Sequence, residues 1–280
     1  MPDTHKEQVC RFYDEHPINE EEILAELAAR GLDLDALSEE DLKDFDQDHY
    51  CGVQAVETLG ELAAVGNSSH VLDVCSGMGG PARWLAHTIG CHVSGVDLTV
   101  SRVESARRLT RRVQLDGLVD YVCGDATAMP LPDASYDALI SQESWLHIAD
   151  KARLVQECVR VLKPGARMAF TDIILLSTLT DEQKHRLSGE LATASIAVAE
   201  TYPELLCAEQ CTILSCEDLS KTWAKELIDR LESYRALRDT TVAKFGESHF
   251  AYWDSLYSFY AELFVNGKLG GVRMAAQVPG

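Results

Sequence analysis

Between residues 70 and 175 the chain alternates between two hydrophobic periods. HVLDV (70–74), CHVSGVD (91–97), YVCGD (121–125), YDALISQ (136–142) and ARMAFTDIIL (166–175) are short apolar runs of the kind that form buried strands. Helical patterns separate them. Pro81 suits the first turn of a helix reaching about residue 89. Ser101 and Glu104 have capping-box spacing for the next helix, which stops near Gly117. Asp150 caps a third, with Leu154, Val155, Cys158, Val161 and Leu162 on one face and Lys163-Pro164-Gly165 as its stop. Strands joined by helices imply crossover connections and a parallel sheet covered on both faces.

The flanks break this rhythm. Residues 1–45 read as helical and acidic, with Ile23, Leu24, Leu27 and Ala28 on one apolar face and Gly31 as a terminator. After the fifth strand, 178–206 is helical, CTILSC (211–216) is a candidate sixth strand, and a long helical stretch precedes GVRMAAQV (271–278), a candidate last strand. The pattern predicts a Rossmann-like, doubly wound α/β fold. Its sheet is mostly parallel and seven-stranded, with N-terminal helices and a helical cap insertion. The expected division is 1–69 as a helical extension covering the site, 70–177 as the ligand-binding core, 178–210 as the cap, and 211–280 as the rest of the α/β domain. The cap follows a strand's C-terminal end, where open α/β sheets bind ligands.

Charge narrows the partners. With 45 acidic and 25 basic residues the formal net charge is -20, which repels phosphate backbones and argues against nucleic acid. Arg107, Arg108, Arg111 and Arg112 cluster on a predicted helix and read as a solvated face. No apolar run is long enough to span a bilayer, and the polar N-terminus lacks the regions of a signal peptide, so the expectation is a cytoplasmic protein with no membrane partner. The nine cysteines contain no C-x-x-C pair and no histidine completes a zinc-like spacing, so they read as reduced thiols with no metal site.

The chemistry gathers at strand ends. Asp73-Val74-Cys75-Ser76-Gly77-Met78-Gly79 is a glycine-bearing strand-to-helix turn that lets a ligand approach the backbone. Asp97 ends the second strand, where a carboxylate can accept ribose hydroxyls. Gly77, Gly79 and Ala82 also satisfy G-x-G-x-x-A, so a dinucleotide remains open. Asp73 helps an ammonium and opposes a pyrophosphate, and Asp125 is placed to accept from an adenine amino group.

DVCSGMGG, GVDLT, GDATAMPLPDASYD and RVLKPGA, in this order and spacing, resemble the motifs of class I S-adenosylmethionine-dependent methyltransferases. The resemblance covers about 95 residues and implies S-adenosylmethionine as cofactor, with S-adenosylhomocysteine as product. It implies that Asp73, Cys75, Ser76, Gly77 and Gly79 hold the methionine part. Asp97 is then the ribose ligand, Leu98 packs on the adenine, Asp125 and Ala126 contact it, and Gln142 lies against the cofactor. Cys75-Ser76 and Ala166 stand where the family usually has glycine.

Two regions are expected at the acceptor. In Gln142-Glu143-Ser144-Trp145-Leu146-His147, His147 is a candidate base, Glu143 a candidate for a substrate cation, and Trp145 a candidate pocket wall. Asp46-Gln47-Asp48-His49-Tyr50, with GMGGPARWLA and GKLGGVR, resembles the sarcosine and dimethylglycine N-methyltransferase branch, in which this segment folds over the pocket; Gln47, His49 and Tyr50 are therefore candidates. Trp253, Tyr257, Tyr260 and Phe264 form a helical stripe that reads as core or as an aromatic cage. Arg186, Arg235, Arg238 and Arg273 are candidate partners for a substrate carboxylate.

The leading expectation is methylation of a small amine related to glycine, sarcosine or dimethylglycine, with a second copy of the chain, as a homodimer, the candidate protein partner. The alternatives are an O-, C- or S-methyltransferase of a specialised pathway, a lyase or cyclase that uses the same cofactor, a nicotinamide-dependent dehydrogenase, and a binding protein without catalysis.

Overall fold

The computed structural model describes residues 4–280. It opens with helices α1 (Thr4–Asp14), α2 (Glu20–Ala29), α3 (Glu39–Leu42) and α4 (Gly52–Leu62). The α/β alternation follows as β1 (His70–Val74), α5 (Gly80–Ile89), β2 (His92–Asp97), α6 (Val100–Arg112), β3 (Val119–Cys123), β4 (Tyr136–Gln142), α7 (Lys151–Val161) and β5 (Leu162–Leu175). The remainder is α8 (Asp181–Glu190), β6 (Ala197–Val198), α9 (Thr201–Ala208), β7 (Thr212–Asp218), α10 (Ser220–Ala236), α11 (Arg238–Phe245), α12 (Glu247–Val265) and β8 (Leu269–Gln277).

The sheet runs β3-β2-β1-β4-β5-β8-β7. Pairs from β3 to β5 are parallel, and β8 is antiparallel to both β5 and β7. This is the expected doubly wound sheet with one addition. The two-residue β6 pairs with the end of β5, so there are eight strands where the sequence suggested seven. The strand order reverses between β1 and β4, which opens a crevice above their C-terminal ends.

Both faces are covered. Val56 and Leu59 of α4, Leu85 of α5 and Val103 of α6 pack with Val71 and Ile140 on one side. On the other, α7 presents Leu154, Val155, Cys158 and Val161, all fully buried, to Leu72, Leu139 and Phe170. Burying each such side chain contributes about 1.5–3 kcal/mol. A third cluster joins α8, α10 and α12 to the sheet edge through Leu187, Trp223, Phe259 and Leu263. Within the long helical stretch, Trp253 is buried against His16 and Tyr257, and Phe264 belongs to this third cluster.

Two local expectations are corrected. Thr99, not a residue inside a Ser101–Glu104 box, is the N-cap of α6; Ser101 Oγ instead donates to Asp14 of α1. Helix α7 ends at Val161, and residues 163–166 sit in an irregularity of the β4–β5 pairing that resumes at Ala138–Arg167. No helix among the described residues is long and apolar enough to cross a membrane.

Candidate functional site

The crevice holds a cavity of about 420 Å³, inside the roughly 300–1,000 Å³ of small-molecule sites. Its floor is the strand ends: Asp73, Cys75, Ser76 and Gly77 after β1, Asp97 and Leu98 after β2, Asp125 and Ala126 after β3, Gln142 and Glu143 after β4. Its cover comes from three distant pieces of chain. Lys6, Val9 and Tyr13 come from α1, Asp46, Asp48 and His49 from the segment before α4, and Ser188, Thr193 and Ala194 from α8 and the loop after it.

The β1 turn is shaped by backbone sterics. Cys75 has φ 62, Gly77 φ 53 and Gly79 φ 80. Cys75 and Ser76 both donate their N–H groups to Val96 O, at 2.7 and 3.1 Å, which ties the turn to β2. Gly79 lies behind the wall, not in it; a Cβ there would strike the Tyr121 hydroxyl. Asp97 closes the loop, accepting from Gly77 N at 2.9 Å and Thr99 N at 2.8 Å.

Several wall atoms are buried without a partner. Asp73 Oδ2, Ser76 Oγ, Gln142 Oε1 and Thr193 Oγ1 have no hydrogen-bond partner among the described residues. An unmet buried polar atom costs about 1–3 kcal/mol, so their convergence on one cavity points to a ligand that meets them. Burial, and secondarily the charge of Asp97, pushes the Asp73 carboxyl up to about 8.

The acceptor end is a set of fixed rings and one fixed carboxyl. His147 Nδ1 lies 2.9 Å from Ala192 O and Nε2 3.0 Å from Tyr13 Oη. Because a carbonyl only accepts, Nδ1 carries the proton and Nε2 accepts from the phenol. Burial holds His147 down at about 4, and burial raises the Tyr13 phenol well above its usual range. His49 Nε2 donates to Gln47 Oε1 at 2.8 Å, and its Nδ1 lies between Gln142 Nε2 at 3.0 Å and Tyr50 O at 3.2 Å; burial holds it at about 4. Glu143 sits at φ 48, accepts from Tyr50 N at 2.7 Å and Thr171 Oγ at 2.9 Å, and is pushed by burial up to about 8.

Three expected wall residues lie elsewhere. Trp145 is fully buried, stacked on Phe170 at 4.0 Å and edge-on to Tyr202, so it is core. Gln47 turns away to hold His49, and the Tyr50 ring packs under Arg230 and against Trp223, leaving only its N–H to serve the site. The four arginines considered for a carboxylate pair with Glu190, Asp254, Glu247 and Glu217, outside the cavity. Tyr13 and Asp48 were missed as site residues. The signal for Tyr13 was the aromatic pair Phe12-Tyr13 near the end of a largely polar helix, with His16 just beyond it. Among the described residues no group of three or more His, Cys, Asp or Glu side chains is placed to hold a metal.

Residues 72–170 match the family described as "Methyltransferase domain". The chain is 34% identical over 173 residues to the methyltransferase GfsG of Streptomyces halstedii, covering 61% of this chain and 62% of that one. It is 36% identical over 120 residues to the sarcosine/dimethylglycine N-methyltransferase of Halorhodospira halochloris, covering 42% and 43%. These alignments span less than two thirds of each relative. Among solved structures, the [4+2]-cyclase SpnF superposes with a TM-score of 0.68 at 25% identity, covering 81% of this chain and 80% of that one. Other relatives are named as O-methyltransferases. The strand ends that form the cavity floor therefore belong to a methyltransferase domain.

Proposed function

We propose that this chain, a member of the class I S-adenosylmethionine-dependent methyltransferases, transfers a methyl group from S-adenosylmethionine to a small-molecule acceptor. The observation that carries the reading is the set of unmet buried atoms Asp73 Oδ2, Ser76 Oγ and Gln142 Oε1 beside three strand-end carboxylates. Asp73 takes the amino group of the methionine part, together with the Gly77 turn. Asp97 takes the ribose hydroxyls with the lone pairs that Gly77 and Thr99 leave free. Leu98 and Ala126 sandwich the adenine, and Asp125, held 2.8 Å from Lys6, takes its amino group.

The bound cofactor supplies the electrophilic methyl group. The protein's task is to orient the acceptor atom, exclude water and remove one proton. His147 is suited to the proton, being neutral at pH 7 with Nε2 as its basic atom. Tyr13, bonded to that atom, either yields it to the acceptor or relays the proton. Glu143 has both oxygens engaged and acts as a positioning residue, fixing the Tyr50 backbone and so the cover.

Labelled methyl transfer to a panel of amines and phenols tests the reading, with Asp97→Ala as the binding control. Expected is label in one acceptor class and cofactor affinity at least tenfold weaker in the variant. Full cofactor affinity in Asp97→Ala sinks the ribose role, and no binding of S-adenosylmethionine or S-adenosylhomocysteine sinks the whole reading. A second reading, non-methylating catalysis, is favoured by the likeness to a cyclase. Turnover of an acceptor with no loss of the cofactor's methyl group would select it.

A further inference from the structure

We propose that the acceptor carries no anionic group, and that Asp48 binds its hydrogen-bond-donating end, an ammonium or a hydroxyl. This rests on reading the cavity as a methyl-transfer site. Its basis is the charge inventory of the wall. Among the described residues of the wall, the only lysine and arginine are Lys6 and Arg102. Lys6 is 2.8 Å from Asp125, at the adenine end. Arg102 donates Nη1 to Ile18 O and Nη2 to Tyr13 O, each at 2.8 Å, so its guanidinium holds the α1–α2 connection. At the acceptor end the basic rings are His5, His49 and His147; His5 Nε2 donates to His147 O at 2.9 Å, and His49 and His147 are committed through both ring nitrogens to protein groups. A carboxylate or phosphate placed there meets no lysine or arginine that is not already engaged, and faces the carboxyl groups of Asp48 and Glu143. Burying such a charge without a partner is the costliest arrangement a site can make.

This separates the chain from an acceptor such as sarcosine, whose carboxylate any binding site must neutralise. It does so although the chain resembles a sarcosine/dimethylglycine N-methyltransferase over 42% of its length. Asp48 supplies the positive half of the argument. Each Glu143 oxygen already accepts one protein donor, Tyr50 N and Thr171 Oγ1, so a ligand there would share them. Asp48, one-third exposed, accepts no hydrogen bond from the described residues, and its nearest basic atom is His16 Nδ1 at 3.9 Å, beyond hydrogen-bond distance. Its charge acts on Tyr13, His16 and His147. A net charge of -20 adds a field that draws cations in and repels anions.

The test uses the full chain loaded with S-adenosylhomocysteine, whose binding is first confirmed by calorimetry. The imidazole resonances of His49 and His147 are followed at pH 7 while ethylammonium, ethanol, acetate and inorganic phosphate are added separately. Expected are saturable shifts with ethylammonium or ethanol, and affinity for acetate and phosphate at least tenfold weaker. Asp48→Asn should weaken ethylammonium about tenfold and leave ethanol within about threefold. Acetate or phosphate binding as well as ethylammonium overturns the proposal, as does the absence of any shift with both donors, or an Asp48→Asn variant that binds ethylammonium unchanged. If S-adenosylhomocysteine itself fails to bind, the methyl-transfer reading falls, and the same titration on the unloaded chain still decides the acceptor end.

Discussion

Cofactor binding should expel a proton from Asp73. Its carboxyl is buried, has one oxygen without a partner and is pushed up to about 8. At pH 7 about nine-tenths of the empty protein therefore holds Asp73 protonated. Ionising it at that pH costs about 1.4 kcal/mol, one pKa unit, which is less than a charge-assisted hydrogen bond to the ligand's ammonium returns. Binding S-adenosylhomocysteine at pH 7 should then release close to one proton from this site, falling to about half a proton at pH 8 and about a tenth at pH 9. The sign follows from linkage: the free state holds more protons than the bound state, so affinity rises with pH up to about 8 and then levels. Calorimetry in buffers of different ionisation enthalpy measures the proton count. The ligand's own amine titrates alike against any variant, so the difference between the wild type and Asp73→Asn isolates the carboxyl. The variant should lose the release and bind about 10–100-fold more weakly. Equal buffer dependence in both proteins, or none in the wild type at pH 7, refutes the assignment of Asp73 to the amino group.

Other outcomes follow from the same geometry. Tyr13→Phe removes the donor to His147 Nε2 and should cost about 1–3 kcal/mol in denaturant unfolding; an unchanged midpoint means that the bond does not form in solution. His147 and His49, lowered by burial to about 4, should stay neutral from pH 7 to about 5 in an imidazole NMR titration, and a midpoint near 6.5 for either would show it solvated. Gly79→Ala should lower stability by more than about 2 kcal/mol, because φ is 80 and the Cβ meets a Tyr121 ring held by Thr110 and Arg83; a variant as stable as the wild type would mean that the turn relaxes freely. Glu143→Ala leaves the Tyr50 N–H unmet and should raise proteolytic sensitivity of residues 46–50 above that of Glu143→Gln, which keeps an acceptor; equal digestion of the two would remove Glu143's positioning role.

The sheet and the strand-end floor of the cavity were legible because both are local. Strand runs report their burial through composition alone, and Asp73, Asp97 and Asp125 occupy strand ends that any parallel sheet brings to one edge. The acceptor end was not. Tyr13 meets His147 across 134 positions, and nothing in the neighbourhood of either announces the other. Trp145 follows a strand end as a wall residue would, yet its direction is set by Phe170 and Tyr202, which close over it from β5 and α9. The Ser101–Glu104 spacing fits a box, but Asp14 of α1 takes the Ser101 hydroxyl from 87 positions away. Each miss is a case of tertiary contact overriding a sound local preference.

The segment after β4 explains how one floor can carry different covers. Gln142 holds His49, Glu143 holds the Tyr50 backbone, and His147 holds Tyr13 of α1 and Ala192 beyond α8. Three pieces of chain from outside the core thus hang from six consecutive residues at one strand end. The cavity floor ends at those residues, and the family match, 72–170, contains them but little of the cover. A change in 46–50 or in 188–194 can therefore rebuild the acceptor end without touching Asp73, Asp97 or Asp125, whereas α1 also reaches the floor through the Lys6–Asp125 pair. Relatives of this chain are named for N- and for O-methylation. It also means that the acceptor is to be read from Asp48 and Tyr13, in the cover, and not from the strand-end motifs of the floor.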